Sequence, residues 1–409
     1  EVEIGGQRID RQYGDWMQIW NQLTLSSEQQ RGYWKMIGNT SQLTFITDPT
    51  FADINGPCGG EAPVNVCAPR NALPETTLYI PLQFWYCRNP GLALPLIALQ
   101  YHEVKINLDL RPIDECLWAM NSLSASDGNQ QSTAAYNQSL VAASLYVDYV
   151  FLDTDERRRM AQNPHEYLIE QLQFTGDESV GSSSNKIKLN FNHPCKELIW
   201  VVQPDANVDY CASYQGGELL YKVLGAQPFN YTDAVDALPN SVLAFGGPTA
   251  TAGENGVIAA DGAFQDPNAN DIANIMDSGV SDAGTFVLSE ASLDMHCWGL
   301  NPVVVAKLQL NGQDRFSERE GTYFAQVQPY QCHTRAPDSG INVYSFSLRP
   351  EEHQPSGTCN FSRIDNATLQ LVLSNATVSG TNTAKVRVYA TNYNVLRVMS
   401  GMGGLAYSN

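Results

Sequence analysis

Apolar residues in this chain recur mostly at every second position, in short runs separated by Gly-, Pro- and Asn-rich punctuation. That period of two is the mark of strands with one buried face. Val2 and Ile4 alternate with polar neighbours and stop at Gly5-Gly6; residues 306–316 (AKLQLNGQDRF) alternate in the same way and stop at Asn311-Gly312. Both endings are hairpin turns that need positive φ. Residues 79–87 (YIPLQFWYC) and 344–350 (YSFSLRP) read as strands, each followed by a Pro-containing turn, at Pro90 and Pro355. The offset is 265 positions for the strand starts and for the prolines alike. Val104, Ile106, Leu108 and Leu110 alternate with polar residues, as do Ala367, Leu369, Leu371 and Leu373. Finally, 144–152 (SLYVDYVFL) corresponds to 385–396 (KVRVYATNYNVL). Four matched elements in one order indicate an internal duplication.

The period changes to a helical one at only a few places. Trp16, Ile19, Trp20 and Leu23 share one side of a predicted helix that begins near Gly14. Residues 153–162 (DTDERRRMAQ) predict a short connector helix, with Asp153 or Thr154 as cap, acids in the first turn and arginines behind them. Asn163-Pro164 ends it, because the residue before proline is pushed out of helical geometry. The second copy then carries three further strands, at 166–174, 186–191 and 197–203. The first copy has no counterpart, so the repeat predicts that roughly three strands precede residue 1 and that the first unit has unpaired edges. About eight antiparallel strands joined by unequal loops read as a jelly roll. An immunoglobulin-type sandwich would have even spacing and a Cys…Trp…Cys pattern, which is absent. The expectation is an all-β chain of two tandem eight-stranded jelly rolls, 1–158 and 159–409, the first N-terminally incomplete. A long insertion spans 204–297 in the second.

Composition narrows the function. Charged residues make up 16% of the chain, with 24 Lys and Arg against 43 Asp and Glu. A net charge of −19 without a basic run argues against direct nucleic-acid binding. No apolar run reaches the roughly 18 residues of a membrane span. The nine cysteines form no CxxC pair and read as reduced thiols, with Cys58 and Cys67 as the one conceivable bridge.

Catalytic and metal patterns are weak. The six histidines, at 102, 165, 193, 296, 333 and 353, make neither HxH nor HExxH. His102-Glu103 and His165-Glu166 look like ligand pairs, but strand neighbours point to opposite faces. GxSxG, GxGxxG and the phosphate-binding loop are absent, and GMGG at 401–404 is too short to count. Asp314, Glu318 and Glu320 read as turn acids. Asp53, Asp266, Asp271 and Asp277 lack the EF-hand order. No cofactor and no metal are expected.

Longer stretches are more specific. Residues 90–106 (PGLALPLIALQYHEVKI), 151–176 (FLDTDERRRMAQNPHEYLIEQLQFTG), 189–198 (LNFNHPCKEL), 354–369 (QPSGTCNFSRIDNATL) and 392–409 (NYNVLRVMSGMGGLAYSN) closely resemble the major capsid proteins of nucleocytoplasmic large DNA viruses, nearest the algal-virus branch. The likeness covers nearly all of the chain except about 38–73 and 204–293. It implies a double jelly roll that trimerises into pseudo-hexagonal capsomers and tiles an icosahedral shell. It further implies neighbouring capsomers, minor capsid proteins and penton proteins as partners, and an inner viral membrane beneath the shell that the chain does not enter. The implied location is the virion, with host cytoplasm during assembly. The alternative is a carbohydrate-binding or host-attachment β-sandwich displayed on a particle. Sequons occur at Asn39, Asn137, Asn230, Asn360, Asn366 and Asn375. Those at 360 and 366 fall within or beside predicted strands, leaving Asn39, Asn137, Asn230 and Asn375 as glycosylation candidates.

Overall fold

The computed structural model describes residues 1–39, 75–111, 116, 137–208, 229–233 and 300–408. The long insertion, apart from residues 204–208 and 229–233, therefore lies outside the described residues. So do His296, Asp53, Asp266, Asp271, Asp277, Cys58, Cys67, Cys211 and Cys297.

The chain opens with the expected hairpin, β1 (Val2–Ile4) and β2 (Gln7–Asp10). Gly5 and Gly6 take positive φ of 60° and 81° at its turn, as a right-handed twisted hairpin demands. Helix α1 (Gly14–Thr24) follows, its apolar side fully buried. Helix α2 (Ser27–Ile37) has a capping box at Ser26 and Gln29 and ends at Gly38 in the left-handed region. β3 (Val104–Ile106) pairs with β1, giving a three-stranded sheet in the order β2-β1-β3.

The connector helix α3 (Thr154–Gln162) is capped by Asp153, whose side chain accepts from the Glu156 N–H, and ends at Asn163. Beyond it lie β4 (His165–Val180), β5 (Ser184–Leu189), β6 (Pro194–Pro204), β7 (Val303–Leu310), β8 (Gln313–Asp314), β9 (Arg319–Glu320), β10 (Ile341–Ser345), β11 (Cys359–Asn360), β12 (Ala367–Leu373), β13 (Ala384–Met399) and β14 (Met402–Leu405). One sheet runs β10-β6-β13-β14, with β11 on β6 and β4 on β13; the other runs β5-β12-β7-β8, with β9 on β7. The antiparallel partners β4/β13, β5/β12, β6/β10 and β7/β9 are the winding of a jelly roll.

The repeat reappears in the pairing. Ile4, matched in sequence to Leu310, pairs with Val104; Leu310 pairs with Ala367, the residue matched to Val104. The two hairpins sit in different sheets.

Three expected strands did not form as read. Residues 79–84 are irregular and Trp85–Arg88 is a helical turn, because Phe84 and Trp85 leave the alternation to enter one core together. The alternation at Val104 stops after Ile106, and Leu108 and Leu110 are exposed. Residues 144–152 lie in no sheet, and Phe151 is 91% exposed. A β-branched run becomes a strand only when a neighbour takes its backbone hydrogen bonds. Among the described residues, none does so here.

The main core lies between the two sheets of the second unit. Leu198, Trp200 and Val202 of β6 and Val386 and Val388 of β13 meet Leu308 of β7 and Leu369 and Leu371 of β12. The alternate residues of β6, Ile199 and Val201, face outward yet are also fully buried, beneath α1. A strand covered on both faces reads as a continuous apolar run, which is what LIWVV is. β4 and β13 are each 16 residues long, roughly 50 Å at strand rise. Their ends pass beyond the second core, and Ile169, Leu396 and Val398 complete a separate core with Val2, Ile4, Ile9, Phe84 and Trp85 of the first unit.

Candidate functional site

The two units meet along a joint built from α1, the 84–92 segment and the outer face of the β4-β13-β6-β10 sheet. Trp16, Ile19, Trp20 and Leu23 of α1 pack on Ile199, Val201, Ile341, Val343 and Tyr389. Their spacing along α1 puts one apolar stripe on the sheet, as the periodicity foretold. Polar ties flank the stripe. Arg387 of β13 bridges Asp15 of α1 (2.9 Å) and Asp177 of β4 (2.8 Å). Gln22 donates to Asp338 (2.9 Å), and the Arg335 N–H donates to the Leu23 carbonyl (3.1 Å).

Beside the stripe, β6 carries the adjacent pair Lys196-Glu197, both 0% exposed. β6 bulges here, with Thr391 of β13 opposite Glu197 and Asn392 opposite Cys195, so Lys196 is the extra residue and the two side chains enter adjoining networks. Lys196 Nζ lies 2.8 Å from Glu170 of β4 and donates to the Pro350 carbonyl at 2.7 Å, with the Tyr393 ring 5.2 Å away. Glu170 also meets Arg88 at 3.3 Å and His353 at 3.7 Å. Arg88 in turn covers the Trp20 ring at 4.7 Å. Burial opposes ionisation of Glu170, but His353, Lys196 and Arg88 outweigh it and hold the carboxyl down at about 2. Lys196 bears the desolvation of the pair: burial pushes its ammonium below the usual lysine range, against the pull of Glu170. A cavity of about 180 Å³ opens between residues 85–92 and Glu170, Glu351 and His353.

Glu197 enters the adjoining network. His333 places Nε2 2.9 Å from Glu197 and Nδ1 2.9 Å from Glu351. Burial lowers the affinity of this ring for its proton, yet the two carboxylates raise it to about 9. At the opposite edge of the joint, Asp10 accepts from the Leu172 N–H at 3.0 Å, and burial lifts its carboxyl to about 6. Asp10 apart, each of these charges has an opposite partner within the protein. The arrangement is mechanical, a way to lock two sandwiches together, and it holds no nucleophile aligned with a base.

The other residues singled out in sequence are scattered. His102 Nδ1 lies 2.9 Å from the Gly403 carbonyl and His165 Nε2 2.6 Å from that of Met160. Asp314 pairs with Lys307 at 2.7 Å, while Glu318 and Glu320 are exposed. Among the described residues, no three His, Cys, Asp or Glu side chains converge as a metal site, and no helix is long and apolar enough to cross a membrane. The described cysteines, 87, 116, 195, 332 and 359, are free thiols. Of the sequons, Asn137 and Asn375 are exposed and Asn39 half-buried. Asn360 and Asn366, expected to be shielded by strands, are exposed as well. Asn230 corrects its expectation: it is 1% exposed, and its side-chain oxygen accepts from the N–H and hydroxyl of Thr232. The intramolecular packing of 229–233 against β6 removes it from solvent, since Gln203 and Asn207 donate to its carbonyl.

Sequence reasoning missed Lys196, Glu197, Glu170 and Glu351 altogether, and took His333 only as an isolated histidine. The available signal was the Lys-Glu pair heading an otherwise apolar strand, because buried charges persist only with partners.

Relatives show the class of protein to which this fold belongs. A family described as large eukaryotic DNA virus major capsid protein matches residues 156–404, and one described as major capsid protein N-terminus matches residues 1–153. The major capsid protein of Phaeocystis pouchetii virus is 78% identical over 419 aligned residues, covering 100% of this chain and 80% of the relative. That of Chrysochromulina ericina virus is 73% identical over 456, covering 100% and 78%. A quasi-atomic model of the PBCV-1 virus capsid superposes with a TM-score of 0.58 at 35% identity, covering 100% of this chain and 83% of the solved one. The chain belongs to the major capsid proteins of large eukaryotic DNA viruses. It is a double jelly roll, a structural component of the virion capsid and not an enzyme.

Proposed function

We propose that three copies of this chain associate into one capsomer of pseudo-hexagonal outline, and that these capsomers tile an icosahedral shell. The observation that carries this reading is the joint itself. Two jelly rolls share the long strands β4 and β13 and pack together through α1. Three such pairs around a threefold axis present six similar sandwiches, which is the geometry a hexagonal lattice requires. The units divide near the connector helix, as 1–158 and 159–409. The 204–297 insertion forms the outward tower and contributes to the contact between subunits, since obligate interfaces often exceed about 2,000 Å². Asn39, Asn137 and Asn375 are candidate glycan sites. Minor capsid and penton proteins are the further partners, the viral membrane lies beneath the shell without being entered, and assembly proceeds in host cytoplasm.

Light scattering on the full-length protein tests the core of this reading. A trimer mass in dilute solution is the expected result; a stable monomer refutes it. Deleting 210–290 should leave the sandwich intact and weaken the trimer, and undiminished trimers would refute the interface role of the insertion.

A further inference from the structure

We propose that an imidazolium at His333, gripped between Glu197 and Glu351, pins the 333–338 segment over α1, so that the joint between the two jelly rolls stays closed only while that proton is in place and loosens in alkaline solution. This stands whatever the stoichiometry of the capsomer.

The geometry requires the proton. A carboxylate oxygen only accepts hydrogen bonds, and a neutral imidazole has a single N–H. Both ring nitrogens of His333 lie 2.9 Å from carboxylate oxygens of different residues. Both contacts are hydrogen bonds only when the triad holds the extra proton; without it, one lone pair faces an anion in a dry site. The ring cannot escape to water, because its side chain and that of Glu197 are fully buried.

The segment that His333 anchors is a strap. The His333 N–H closes the preceding helical turn on the Pro329 carbonyl, and the Thr334 N–H donates to Glu351 at 2.8 Å. Arg335 and Asp338 then fasten to the C-terminal end of α1 through Leu23 and Gln22. The Trp20 ring stands edge-on to the imidazole at 6.4 Å. One proton thus couples a β6 residue, a loop residue and the helix that joins the units.

Other ionisable groups surround the ring without gripping it. On β6, Lys196 is the neighbouring charge of Glu197 and is held by Glu170 at 2.8 Å. On β13, Thr391 donates to Glu197 and Tyr393 packs over Lys196. In the 349–353 turn, Arg349 pairs with Glu352, and His353 approaches Glu170. Arg88 lies over Trp20 on the α1 side, Cys332 precedes the ring in sequence, and Arg335 faces Asp338. Because the affinity of His333 for its proton is raised from 6.5 to about 9, the stabilisation is complete below about 6.5 and disappears as pH rises through about 9.

Trypsin reads the strap directly, because Arg335 lies in it. Limited digestion of the full-length capsomer is followed by mass spectrometry at pH 7 and pH 9.5, with rates normalised to a short arginine peptide in the same tube. In the wild type, cleavage at Arg335 should accelerate roughly tenfold or more between the two pH values, the change expected of an opening governed by one titration. In His333→Gln, it should be fast at both. A normalised rate at Arg335 that stays flat in the wild type overturns the proposal. So does an acceleration spread equally over all Lys and Arg sites, which would report global loosening. Should His333→Gln fail to fold, the wild-type profile alone decides.

Discussion

Replacing Lys196 by Met removes an ammonium from a dry site while keeping most of the stem's volume. The group lost has two close partners, Glu170 at 2.8 Å and the Pro350 carbonyl at 2.7 Å. Breaking one side of a buried pair leaves the other charge uncompensated, which typically costs about 3–5 kcal/mol. Arg88, 3.3 Å from Glu170, stays in place and softens the loss. The lower end, ~3 kcal/mol, is therefore expected. At about 2–4 °C per kcal/mol for a unit of this size, Tm should fall by roughly 6–12 °C. The acid limb gives a second reading. The carboxyl of Glu170 is held at about 2, below the ordinary 4.5, so its stabilisation is present above about 4.5 and vanishes as pH falls through about 2. Lys196→Met should bring acid unfolding to higher pH. The double variant Lys196→Met, Glu170→Leu removes both charges and should recover much of the lost stability, because an apolar pair of similar volume needs no desolvation. Thermal unfolding by near-UV circular dichroism, on all three proteins at pH 7.5 and along an acid series, checks the set. A Lys196→Met protein as stable as wild type, or a double variant weaker than the single, would refute the reasoning.

Two further outcomes follow from single positions. Asp10→Asn should raise stability at pH 7.5 by up to ~3 kcal/mol, because burial has lifted this carboxyl from 3.8 to about 6 and its ionised form is disfavoured in the fold. The sign is opposite to that of Glu170: the penalty is absent below about 3.8 and full above about 6, so the gain in Tm should shrink toward pH 4. Gly321→Ala should disrupt the β7–β9 edge, since the added Cβ would sit 1.8 Å from the Val303 carbonyl oxygen, a backbone atom that cannot swing aside. A loss of about 3 kcal/mol, or failure to accumulate as soluble protein, is expected.

What the sequence by itself determined is the part that depends on neighbours along the chain. The alternation at Ala367, Leu369, Leu371 and Leu373 is local, and each of these residues is buried in β12. Asn311-Gly312 makes its turn through its own positive φ angles, and the stripe of α1 follows from helical spacing. The duplication was legible because both copies obey the same local rules. Its pairing, Ile4 with Val104 and Leu310 with Ala367, agrees residue for residue. Tertiary structure decided whatever needs a partner from elsewhere. Residues 144–152 have every local feature of a strand, and no neighbour takes their hydrogen bonds among the described residues. Asn230 reads as an open-loop sequon until Gln203 and Asn207 of a distant strand and turn close over it. The polar ties of the candidate joint belong to this second kind. His333 meets Glu197 across 136 positions of sequence, and Gln22 meets Asp338 across 316. Charge in a dry interior is tolerated only in pairs, and a one-dimensional pattern does not say which pairs the fold will bring within 3 Å.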